Sequence, residues 1–98
     1  MRRDYLVCYD IADAKRLRRV FKTMRGFGDA MQYSVFRCAL TAQEKTLMIE
    51  ALQRAFHAKE DRLMVVDLGQ AGAAARKERV EFLGRTPREQ VEAGAVIV

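Results

Sequence analysis

Asp10 stands at the end of an apolar run and at the mouth of a cationic one. In YLVCYDIADAKRLRRVFK, residues 5–22, it is followed by Lys15, Arg16, Arg18, Arg19 and Lys22. Two chemistries suit that order. Asp10 can pair with Arg16 or Arg19, which would be structural. It can also serve a metal-assisted phosphodiester site, because Mg2+ prefers oxygen ligands and often takes only one or two protein carboxylates. The planar fork of arginine suits bidentate phosphate contact. Arg16 and Arg19 lie at i and i+3, so on a helix they share a side and could grip one backbone. Each phosphate contact would add affinity and salt dependence. The competing reading of Arg16, Arg18 and Arg19 is a basic helix face that neutralises acids elsewhere. Tyr9, beside Asp10, can hold a water or a phosphate oxygen, or fill a core or interface as an aromatic.

The elements that would place these groups follow from periodicity. Residues 4–10 alternate as a strand, with Leu6, Cys8 and Asp10 on one face and Tyr5, Val7 and Tyr9 on the other. Both faces are largely apolar, which predicts a central strand buried on both sides. Asp13 is placed to cap a helix in which Leu17, Val20, Phe21 and Met24 form one stripe. GFG, residues 26–28, ends it. Residues 30–39 are extended, as one strand or as a bent pair, and in the first case Gln32, Ser34 and Phe36 share a face. Thr41 and Glu44 fit a capping box for a second helix ending near His57, where the helix dipole favours a cationic imidazole. Residues 62–68 read as a third strand, with Asp67 in a loop salt bridge. Residues 69–77 read as a loop, 79–84 as a short fourth strand, and AVIV at 95–98 as a final strand.

The chain has 98 residues, enough for one domain: a core over 1–78 and C-terminal strands over 79–98. The order strand, helix, extended segment, helix, strand, strand predicts an α+β ferredoxin-like sandwich, an antiparallel sheet with two helices on one face. Two helices leave the other face open, and a second copy of the chain is the simplest cover. AVIV could then add a strand to the partner's sheet.

No apolar run approaches the roughly 20 residues needed to span a bilayer, and the N-terminus does not resemble a secretory signal. Cys8 and Cys38 lack zinc spacing and read as buried thiols of a reducing cytoplasm. The net charge is +5, and residues 1–28 hold eight basic against three acidic residues. That asymmetry points to a polyanion. A small-anion regulatory domain fits the basic helix poorly. A metal-free ribonuclease would want histidine, and His57 is the only one.

Four blocks in order carry a resemblance. LVCYDI (6–11), AKRLRRVFKTM (14–24), GFGDAMQYSVFRC (26–38) and VEFLG (80–84) are similar to the smaller of the two core CRISPR adaptation proteins, a family of CRISPR-associated endoribonucleases. The resemblance implies a ferredoxin-like homodimer whose first strands meet near the two-fold axis. It implies that two copies of Asp10 flank one Mg2+, with endonuclease action on RNA or double-stranded DNA. It also implies a bridging role with the CRISPR integrase, and the alternative to an enzyme is a non-catalytic DNA-binding scaffold for that partner. Ser34 would line the cleft and contact nucleic acid. Two positions depart from the family pattern. Ala30 stands where an arginine is usual, which removes a candidate phosphate contact. Arg37 stands where glutamate is usual, and adds positive charge.

Overall fold

Alternation in the first strand becomes a difference between two environments. In β1 (Arg3–Asp10), Tyr5, Val7 and Tyr9 are buried, whereas Leu6 and Cys8 are half-buried. The computed structural model describes residues 1–72 and 79–85. After β1 come α1 (Ala14–Arg25), β2 (Asp29–Gln32), β3 (Val35–Leu40), α2 (Ala42–Ala55) and β4 (Arg62–Gln70). The strands pair antiparallel in the order β2-β3-β1-β4. This is the expected ferredoxin-like arrangement.

Both helices begin where the sequence places their caps. Asp13 accepts from the Arg16 backbone N–H at 2.9 Å. Thr41 and Glu44 form a reciprocal capping box. The α1 stripe buries Val20, Phe21 and Met24 against the sheet and α2, which contributes Met48 and Leu52. Val7 and Phe36 complete the centre from the sheet side. Full burial of each such side chain stabilises the fold by roughly 1.5–3 kcal/mol. Gly28 is needed for close approach, because a Cβ there would collide with the Arg37 carbonyl and the Cys38 sulfur. Both cysteines are free thiols. Burial pushes Cys38 up to about 12, so it stays protonated and unreactive at neutral pH.

Residues 30–39 fold as two strands, with Tyr33 and Ser34 in the turn between β2 and β3. The register shifts between Ala30 and Gln32. The single face expected for Gln32, Ser34 and Phe36 is therefore split: Phe36 is buried in the core and Ser34 sits in the turn. β4 runs two residues past its expected end, through Gly69 at φ 97°. The fourth strand expected at 79–84 is not formed; those residues carry no strand, and Leu83 is almost wholly exposed. A strand exists through its ladder partner, and no described strand pairs with this segment. AVIV at 95–98 lies outside the described residues.

The face of the sheet without helices carries Leu6, Cys8, Val35, Val66 and Met64, which are register partners. They are half-buried or, at Met64, 57% exposed. The strand expected to be buried on both sides is thus buried on one within a single chain.

Candidate nucleic-acid interface

The C-terminal end of β1 is paired with the start of β4 and lies beside the β2–β3 turn, with α1 beginning four residues on. At this end Asp10 points to solvent. Its Oδ2 accepts from Arg62 Nη2 at 3.0 Å, with the two side chains 73% and 84% exposed. The partner is thus neither Arg16 nor Arg19. An ion pair so exposed is weak, in the range of about 0–1 kcal/mol, and leaves the carboxylate open to competition by a cation.

Arg16 is committed elsewhere. Its Nε donates to Asp61 Oδ2 at 2.8 Å, and its Nη2 donates to Glu60 Oε1 at 2.9 Å and Asp61 Oδ1 at 3.2 Å. Asp61 also accepts from the backbone N–H of Ala12 at 2.9 Å and of His57 at 2.8 Å. The Arg16 guanidinium, helped by those N–H groups, holds the Asp61 carboxyl well below the usual carboxylate range despite its burial. Arg16 and Arg19 therefore do not form a joint grip. Arg16 instead fastens the turn after Asp10 to the loop that leads into Arg62. His57 lies beyond the end of α2, and its Nδ1 accepts from the Lys59 backbone N–H at 3.2 Å, so it caps a turn instead of the helix.

Tyr9 is buried. Its hydroxyl donates to the Tyr33 carbonyl at 3.0 Å and its backbone N–H to the Ser34 carbonyl at 3.1 Å. Burial pushes its phenol well above the ordinary tyrosine range. Tyr9, expected as a catalytic candidate, here donates its proton to a carbonyl and holds the β2–β3 turn beside Asp10. Ser34 supplies its carbonyl to this link and is half-buried.

Arg37, expected to reach nucleic acid, is 7% exposed and donates from Nη2 and Nε to Asp4 Oδ2 at 2.9 and 3.2 Å. It lies opposite Leu6 on the helix-free face. Charge placed there is neutralised by a buried aspartate. Ala30 pairs with Phe36 and packs on the core.

A run of available cations lies on α1. The side chains of Lys15, Arg18, Arg19, Lys22 and Arg25 are exposed, and among the described residues none is in an ion pair or hydrogen bond. Among the described residues there is also no group of three or more His, Cys, Asp or Glu placed to hold a metal. No described helix is long and apolar enough to cross a membrane. Asp61 and Arg62 were not foreseen. They meet Arg16 and Asp10 across 45 and 52 residues of sequence, beyond the reach of any spacing rule.

Comparison with known proteins gives concordant matches. The family described as CRISPR associated protein Cas2 matches residues 3–75. The CRISPR-associated endoribonuclease Cas2 1 of Rhodospirillum rubrum is 40% identical over 94 residues, which span 96% of this chain and 89% of that one. The CRISPR-associated endoribonuclease Cas2 of Geobacter sulfurreducens is 40% identical over 82 residues, 84% of each chain. Among solved structures, Streptococcus pyogenes Cas2 superposes with a TM-score of 0.69 at 30% identity, covering 83% of this chain and 99% of that one. A hypothetical protein of Thermus thermophilus gives 0.75 at 29% identity, covering 89% and 96%.

Proposed function

Since the chain belongs to the CRISPR-associated Cas2 family of CRISPR defence, we propose that it is a homodimeric, cytoplasmic, nucleic-acid-binding protein of spacer acquisition. In this reading it is a Mg2+-dependent endonuclease on RNA or double-stranded DNA. The observation that carries the reading is the solvent-facing carboxylate of Asp10 at the open end of a central strand, opposed among the described residues only by an exposed Arg62. The names of the relatives, endoribonucleases, point to the same bond class.

One chain offers one hard oxygen ligand at this point. Two copies meeting near their first strands would offer two, which matches the one or two carboxylates that Mg2+ commonly takes from protein. The donor chemistry therefore fits, and Asp10 of each copy would hold the ion. When bound, the ion supplies charge neutralisation at the scissile phosphate. This chain's own residues do the rest. Arg18, Arg19 and Lys22 bind and orient the phosphate backbone, and Asp61 and Tyr9 fix the segments on either side of Asp10. The half-exposed apolar face of Leu6, Cys8, Val35, Met64 and Val66 supports a second copy as its cover.

A second reading has its own observation. Asp10 is paired to Arg62, and that pair could be structural. The free cations of α1 would then hold duplex DNA for an integrase partner, without cleavage.

Cleavage of single-stranded RNA and duplex DNA by wild type and Asp10→Asn, with Mg2+ and with chelator, tests the enzyme reading. Wild type should cut only with Mg2+. The variant should lose about 100-fold or more in rate, the scale of several kcal/mol of lost charge stabilisation, while its affinity persists. Wild type that binds duplex and cuts nothing would leave the scaffold reading.

A further inference from the structure

We propose that Tyr33 is a stacking platform for one unpaired nucleobase of a single-stranded nucleic acid, held at a fixed offset from Asp10. The proposal rests on the nucleic-acid reading above and adds to it a binding site.

Tyr33 is 54% exposed at the tip of the β2–β3 turn. It is not a loose surface aromatic. Its ring stacks on Phe21 of α1, with centroids 5.4 Å apart and planes 23° from parallel. Phe21 is itself braced edge-on by the buried Phe36 at 5.2 Å. One face of the Tyr33 ring is therefore fixed from behind, and its exposed surface is left for a ligand. A large, rigid aromatic surface in water at the edge of a cationic helix is what base stacking uses, because every base has a π-face. The cations are in the right place. Arg18 and Arg25 stand at i−3 and i+4 from Phe21, its neighbours along the helix surface, and both are exposed without an ion-pair partner among the described residues. Arg18, one turn toward the start of α1, lies on the Asp10 side.

The link to Asp10 is a second, independent feature. Tyr9 fastens the turn twice, through its hydroxyl to the Tyr33 carbonyl and its backbone N–H to the Ser34 carbonyl. Tyr9 is also the residue before Asp10. A base resting on Tyr33 is thus registered against the carboxylate by one rigid residue, and a neighbouring phosphodiester is presented to Asp10. A base pair inside a duplex has neighbours stacked on both its faces and cannot lie flat on this ring, so away from duplex ends the platform selects unpaired strands.

The chain has no tryptophan, so Tyr33→Trp is a single-site fluorescent reporter in the full-length protein. The probes are short oligo-U, short oligo-dT, an abasic strand of the same length, and a covalently closed circular duplex, which has no free base-pair face. Emission of Tyr33→Trp should be quenched by the base-bearing single strands and not by the abasic strand. Tyr33→Ala should weaken binding of the base-bearing single strands about ten-fold, within the range for loss of one stacked base. Tyr33→Phe keeps the π-face and should bind as wild type, and binding of duplex and abasic strand should be unchanged in all three. A loss confined to oligo-U assigns the platform to RNA, and one confined to oligo-dT assigns it to DNA. Bound strands with unchanged emission, and Tyr33→Ala at wild-type affinity, would overturn the platform and leave the nucleic-acid reading intact. Wild type that binds no strand at low salt would overturn both.

Discussion

Asp61 shows how one side chain sets the geometry around another. Its carboxylate is buried and accepts from Arg16, from the Ala12 N–H after β1, and from the His57 N–H after α2. Those contacts hold the segment that follows Asp10 and the one that precedes Arg62. The pKa of Asp61 is depressed in the folded state, chiefly by Arg16. Asp13, Glu44 and Asp67 shift in the same direction, through an N-cap N–H, the capping-box N–H and the Arg3 guanidinium respectively. Below the ordinary carboxylate value, about 4, the unfolded chain binds more protons than the folded one, so stability falls as pH falls. The melting temperature should be flat from neutrality to about pH 5 and decline progressively below about pH 4. Asp61→Asn should melt lower at pH 7 and show a shallower acid decline. Parallel curves for the two proteins would remove Asp61 from this role. Asp10 itself was legible in the sequence as a strand-end carboxylate. Its partner was not, because residue type and local spacing say nothing of a contact made across the sheet between β1 and β4.

Helix α1 carries both a core stripe and a cationic surface, and both are readable from residue type and spacing. Its period, its Asp13 cap and the GFG exit are local features, which is why they could be read. The division of labour among its arginines could not be, since it depends on acids that α2 and β4 bring near. Arg16 is spent on Asp61 and Glu60, whereas Arg18, Arg19 and Lys22 stay available. This predicts different phenotypes on one helix. Arg18→Ala, Arg19→Ala and Lys22→Ala should each lower duplex affinity and reduce the slope of log K against log salt by up to about 0.9, the value for one lost phosphate contact. Arg16→Ala should lower the melting temperature and leave that slope unchanged. Equal slopes in all four variants would take α1 out of the interface. Between one strand and a bent pair over residues 30–39 the sequence does not decide, because no Gly or Pro marks the turn at Tyr33 and Ser34. Tyr9 holds the turn from another strand. Residues 79–84 failed in the opposite sense: a strand-like pattern is not enough, and no described strand pairs with this segment.

For the whole molecule, the ferredoxin-like order followed from the sequence because strand and helix periods alternate cleanly. The open face of the sheet followed as well, since two helices cover only one side; what lay beyond reach was how that face is filled. One face is packed by α1 and α2. The other carries Leu6, Cys8, Val35, Met64 and Val66 in a half-exposed cluster, with Arg37 and Asp4 paired beneath neighbouring positions. Arg37 looked like added surface charge only because Asp4 is 33 residues away in sequence. A second copy on this face would bring two β1 ends, and two Asp10 carboxylates, toward one ion. The most direct measurement is the number of divalent ions bound per chain, read by Mn2+ spin resonance as a stand-in for Mg2+, for wild type, Arg62→Ala and Asp10→Asn. Wild type and Arg62→Ala should each bind one ion per two chains, with Arg62→Ala at least as tight because the competing cation is gone, and Asp10→Asn should bind none. Undiminished binding by Asp10→Asn, or no binding by wild type and Arg62→Ala, would contradict the shared site and leave Asp10 as half of a surface ion pair.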